Sequence, residues 1–195
     1  MDDHHRRRLV IALPDSYESA RRRYELLVPK LDDLAFAGAR SWHQMLLVAQ
    51  ANAPHGFLRY YRDDLAATFH GSPSRWKATE YLMGNYALTE TLFRRQPSTV
   101  LNGRLRTLIY VDPTGVTRLT VDQPSLQFAS CDSSGCALGQ RLDACLAHLI
   151  GLLGGQVPQQ LALSVGEHYD VRPSVPTQRE TSTPSRTPSR NSAGQ

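Results

Sequence analysis

The chain has 195 residues, 41% of them apolar and 21% charged, with a formal net charge of +4. That is a one-domain length with an ordinary globular composition, which excludes fibrous and wholly disordered classes. The positive excess sits mainly at the end: Arg172, Arg179, Arg186 and Arg190 face only Glu180, leaving residues 1–171 at +1. A folded nucleic-acid surface needs a denser cationic face, so no nucleic-acid partner is expected for the folded part.

Three cysteines, Cys131, Cys136 and Cys145, are too few and too odd in number to staple a chain of this size, and reduced thiols in the cytoplasm are expected. The first apolar run, Leu9–Leu13, is shorter than a signal-peptide core. No stretch approaches the ~18 apolar residues of a membrane span.

Leu9–Leu13 followed by Pro14 reads as a short strand. Asp15 and Glu18 have capping-box spacing ahead of a helix with Tyr17, Ala20, Tyr24, Leu27 and Leu31 on one face and Arg21, Arg22 and Arg23 in solvent. Ser41 and Gln44 open a second helix, which Pro54-His55-Gly56 ends. Phe57–Arg62 then reads as a strand, residues 63–70 as a short helical turn, and Trp76–Met83 as the next strand.

Asn85, after Gly84, is placed to cap a helix that Pro97 stops. Arg106–Val111 and Val116–Val121, joined by Asp112-Pro113-Thr114-Gly115, spell a β-hairpin. Leu138, Leu142, Cys145, Leu146, Leu149 and Leu153 repeat at helical spacing, with Gly154-Gly155 as the stop, so the last helix spans about 133–153. Together these elements predict an α+β fold: two layers, a mostly antiparallel or mixed β-sheet, and helices packed on one face. The organisation expected is a flexible start at 1–7, a domain at 8–156, an extension at 157–170, and a disordered Ser/Thr/Pro/Arg-rich tail at 171–195 in which Thr183-Pro184-Ser185-Arg186 repeats as Thr187-Pro188-Ser189-Arg190.

Thr79-Glu80-Tyr81-Leu82-Met83-Gly84-Asn85, Arg106–Tyr110 and Asp122-Gln123-Pro124-Ser125 resemble Domain of Unknown Function 302. Ala53–Phe57 and Phe128-Ala129-Ser130 agree with an actinobacterial-like branch of it, and the likeness runs over about residues 8–153. The resemblance implies a small, dimeric α+β domain and no established activity or cofactor. Members of that branch often carry a histidine after the Gly-Asn pair; Tyr86 stands here instead, which argues against metal or haem ligation.

Several residues are candidates for chemistry. Period-two alternation puts Glu80 with Trp76, Ala78 and Leu82 on the apolar face of its strand, where a carboxylate needs an internal partner such as arginine, a ligand, or a proton. Asn85 and Tyr86 lie at a strand-to-helix turn that favours an anion or carbonyl oxygen, with helix capping as the plainer role for Asn85. Arg106, Asp122 and Gln123 flank the hairpin and meet Glu80 only if the sheet brings those strand ends together; ordinary ion pairing is their default.

His55, fixed between Pro54 and Gly56, is either a solvated loop histidine or an acid-base group. The histidines and cysteines lack metal-site spacing, and phosphate-loop, dinucleotide and nucleophile-elbow motifs are absent. The leading expectation is a homodimeric domain that binds a small organic or anionic ligand, or a protein partner, near Glu80, Asn85 and Tyr86. The alternatives are a cofactor-independent enzyme using Glu80 or His55, and a scaffold acting through the basic tail.

Overall fold

The computed structural model of the protein describes residues 7–73, 76–128 and 133–162. Five strands, β1 (Arg8–Ala12), β2 (Leu58–Asp64), β3 (Ala78–Gly84), β4 (Arg104–Val111) and β5 (Thr117–Asp122), form one sheet in the order β1-β5-β4-β3-β2. Every neighbouring pair is antiparallel. The helices are α1 (Tyr17–Leu27), α2 (Asp33–Gly38), α3 (Trp42–Asn52), α4 (Leu65–Thr68), α5 (Tyr86–Phe93), α6 (Pro124–Gln127), α7 (Ser133–Leu152) and α8 (Gln159–Ala162), with a 3-10 turn at Pro97–Leu101. This is the expected α+β architecture, with an all-antiparallel sheet.

Alternation along each strand decides which side is buried. Leu9 and Ile11, Tyr81 and Met83, Leu105 and Ile109, and Leu119 and Val121 turn to the helical layer. There they join Tyr17, Ala20 and Tyr24 of α1 and Leu142, Cys145, Leu146 and Leu149 of α7 in one apolar cluster. Each fully buried leucine or isoleucine contributes roughly 1.5–3 kcal/mol relative to exposure. Two buried tyrosine hydroxyls inside this layer are matched: Tyr17 Oη is hydrogen-bonded to Thr79 Oγ1 at 2.6 Å, and Tyr24 Oη to Thr107 Oγ1 at 2.8 Å.

The structure corrects four local expectations. Glu80 does not lie on the core side of β3: Thr79, Tyr81 and Met83 are buried while Glu80 and Leu82 are half-buried on the opposite side. The hydroxyls of Thr79 and Tyr81 find Tyr17 and Glu25 as partners, so the face that looks polar in sequence can serve as core. Ser16, not Asp15, caps α1 through the Ser19 N–H, and Asp15 pairs with Arg23 at 3.0 Å. Leu31 falls beyond α1, which ends before Val28-Pro29, and Asp32 caps the short α2 that the apolar pattern does not reveal.

One helix departs from the single covered face. α4 carries Leu65 and Ala66 against Ala78, Leu108 and Tyr110 on the far side of the sheet. The repeated tail, the extension beyond Ala162 and Cys131 lie outside the described residues.

Candidate functional site

Residues directly opposite in an antiparallel ladder share a face, so the registers order the far side into cross-strand lines. Asp63, Glu80, Leu108, Thr120 and Val10 form one line from β2 to β1. On one side of it Tyr61, Leu82 and Arg106 form a second, with Arg8 and Asp122 continuing the same face on β1 and β5. On the other side stand Ala78, Tyr110, Arg118 and Ala12. Successive lines are about 7 Å apart, two residues of strand rise.

Over these lines lies an open cavity of about 610 Å³, lined among others by Glu80, Arg104, Arg106, Leu108, Thr120 and Asp122. Leu65 of α4, Leu101 of the 3-10 turn and Gln127 of α6 contribute to its lining. A second cavity of about 340 Å³ is lined by aliphatic and aromatic residues, Leu65, Ala66, Phe69, Trp76, Ala78, Leu108 and Tyr110. Leu65 and Leu108 belong to both, so the two form one trough with a polar and an apolar end.

The charges in the polar end differ in how they are held. Asp122 receives two hydrogen bonds from Arg8, at 2.9 and 3.1 Å. Arg104 donates from Nη2 to Tyr86 Oη at 3.1 Å, and its guanidinium lies 5.7 Å from the ring centroids of both Tyr60 and Tyr86. The side chains of Glu80 and Arg106 have neither a hydrogen bond nor an ion pair to any described residue. Arg104 Nε and Thr120 Oγ1, both on residues lining this cavity, are buried polar atoms without a hydrogen-bond partner.

Of the residues singled out in sequence, the sheet brings Glu80, Arg106 and Asp122 into one cavity. Asn85 is elsewhere and fully used: its Oδ1 accepts from Ala87 N–H at 2.9 Å and its Nδ2 donates to the Gly56 carbonyl at 3.1 Å. Tyr86 touches the trough only through Arg104 and stacks on Tyr60, centroids 4.7 Å apart. Gln123 is buried, donating to Asp143 Oδ2 at 2.9 Å and Ser125 Oγ at 3.0 Å. Burial raises the Asp143 carboxyl above its usual range, partly offset by these donors and by Ser125 N–H.

His55 packs beside His148 of α7, ring centroids 5.5 Å apart, in the helical layer and away from Glu80. Burial, then the neighbouring imidazole, lowers its pKa. Arg104, Thr120 and Phe69 were not singled out in sequence, whereas period-two alternation puts Trp76 on the Glu80 face. Arg104 and Arg106 two residues apart on one strand were a legible sign of a basic face. Phe69 reaches the trough from the end of α4, which no periodicity announces.

Among the described residues no three histidine, cysteine, aspartate or glutamate side chains group as metal ligands, and no helix is long and apolar enough to cross a membrane. No protein-family model matches the chain, and no curated protein matches it. Among solved structures it is similar to an uncharacterised conserved protein of Domain of Unknown Function 302 from Bacillus stearothermophilus, with a TM-score of 0.55 and 9% identity over 75% of this chain and 97% of that one. At that identity the likeness is one of fold, and the fold is the one the sequence resemblance implied.

Proposed function

We propose that the chain is a small-molecule-binding domain of the Domain of Unknown Function 302 type, acting in the cytoplasm, with its site in the open trough at Glu80 and Arg106. One observation carries this reading: two opposite charges on adjacent strands line one cavity, and neither side chain has a partner among the described residues. Glu80, half-buried, loses hydration without gaining a contact, an arrangement that favours binding over stability, while Arg106 stands exposed beside it. The trough has the size of ligand pockets, roughly 300–1,000 Å³. Nothing in this reading requires catalysis, and His55 is not placed to act with Glu80.

A thermal-shift screen of polar metabolites against wild type, Glu80→Gln and Arg106→Gln tests it. The expected result is a compound that raises the melting temperature of wild type and fails with at least one variant. Shifts shared equally by all three proteins, or none at all, would remove the reading.

A second reading is homodimerisation through the same face. Val10 and Tyr61 are each 52% exposed there, and Glu80 of one copy could meet Arg106 of another across a two-fold axis. Light scattering separates the two: a dimer that Arg106→Glu converts to monomer favours pairing, and an unchanged mass favours the ligand.

A further inference from the structure

The trough constrains what fits it beyond the presence of charge. Glu80 stands directly opposite Asp63 on the β2–β3 ladder, and like charges in that position repel. Asp63 accepts a hydrogen bond from the Thr68 hydroxyl, and no described cation pairs with either carboxylate. The polar end therefore has room for a positive group at Glu80. One strand over and diagonally placed, about 7–8 Å between Cα positions, Arg106 offers an unpaired guanidinium.

Between these groups Leu108 forms part of the floor and leads into the apolar end, where Phe69, Trp76 and Tyr110 stand beside Leu65 and Ala78. Phe69 and Trp76 are 59% and 52% exposed, large aromatic surfaces left to solvent. A simple anion would satisfy Arg106 and leave Glu80 and the aromatic wall unused. A fatty acid would fill the apolar end and set its carboxylate at Arg106, leaving Glu80 without a counter-charge.

Resting on the reading of this trough as a ligand site, we propose that it binds an apolar or aromatic α-amino acid. The ammonium meets Glu80, the carboxylate meets Arg106, and the side chain passes over Leu108 to the wall of Phe69, Trp76 and Tyr110.

Trp76 reports occupancy directly. In a Trp42→Phe background, which leaves Trp76 as the sole tryptophan, its emission is titrated with L-phenylalanine, 3-phenylpropionate and phenethylamine. L-phenylalanine is expected to saturate the signal and bind about tenfold or more tightly than either compound lacking one charge, the scale of a charged hydrogen bond. Glu80→Gln is expected to weaken L-phenylalanine and phenethylamine while leaving 3-phenylpropionate unchanged. Arg106→Gln should weaken L-phenylalanine and 3-phenylpropionate and spare phenethylamine. Both variants change exposed-face side chains, and circular dichroism confirms their folding.

Equal binding of 3-phenylpropionate and L-phenylalanine, indifferent to Glu80→Gln, overturns the amino-acid assignment while the ligand site stands. So does failure of all three aromatic probes when a compound from the metabolite screen still binds in an Arg106-dependent way. Failure of every compound in both experiments overturns the assignment and the site together.

Discussion

Glu80 and Asp63 face one another across the β2–β3 ladder, two carboxylates on the far side of the sheet. Removing one charge relieves their repulsion, so Glu80→Gln is expected to raise stability by about 0.2–1 kcal/mol. Urea unfolding of the two proteins side by side measures this. A clear loss of stability would show that Glu80 holds the fold together, and would count against its being reserved for a ligand.

The Tyr24 hydroxyl lies in the core against Thr107 Oγ1 at 2.8 Å and Met83 Sδ at 3.2 Å. Tyr24→Phe leaves the Thr107 hydroxyl buried and unpaired, at an expected loss of about 1–3 kcal/mol. Adding Thr107→Val removes the orphan, and the double variant should be less destabilised than the sum of the single ones. Strict additivity in that cycle would mean the two hydroxyls are not coupled.

Gly84 precedes Asn85 at the end of β3, and a Cβ there would meet the Gly103 carbonyl oxygen at 2.5 Å. Backbone on a neighbouring segment cannot step aside as a side chain can, so Gly84→Ala is expected to cost about 1–3 kcal/mol. The melting temperature should fall accordingly. Gly38→Ala, where nothing lies within 4 Å, is the matched control and should change little.

His55 has a pKa below its ordinary value because of burial first and His148 second. The unfolded chain, with a histidine pKa of about 6.5, then holds more protons than the folded one between the two values. Stability should therefore rise with pH through that window and be lost as pH falls from about 6.5 toward the folded pKa. In His55→Gln the same pH series should be flatter. An unchanged slope would assign the acid sensitivity to other groups.

The hairpin was legible because its turn carries its own chemistry: Asp112 Oδ1 accepts from Thr114 N–H at 2.9 Å and Val116 N–H at 3.0 Å. The last helix was legible because its apolar spacing is long and regular, and α7 buries Leu138, Leu142, Cys145, Leu146 and Leu149. β3 misled for a physical reason. Tyr81 and Thr79 are apolar enough to bury and polar enough to look exposed, and only their partners on α1, Glu25 and Tyr17, settle the side.

The site followed the same division. Glu80, Arg106 and Asp122 were visible as charged residues on strands, whereas their meeting depends on ladder registers. Asn85 and Gln123 drew attention by position and proved to be hydrogen-bonded parts of the frame.

The sheet order also sets a timetable for synthesis. β1 leaves the ribosome ahead of the other strands, yet its ladder partner among the described residues is β5, with Arg8 aligned to Asp122. The opening strand must wait, with Leu9 and Ile11 unsheltered, until the hairpin emerges more than a hundred residues later. Such a long-range closure is slow and exposes the nascent chain to aggregation, so β1 should be the last strand to dock and the first to come under chaperone care.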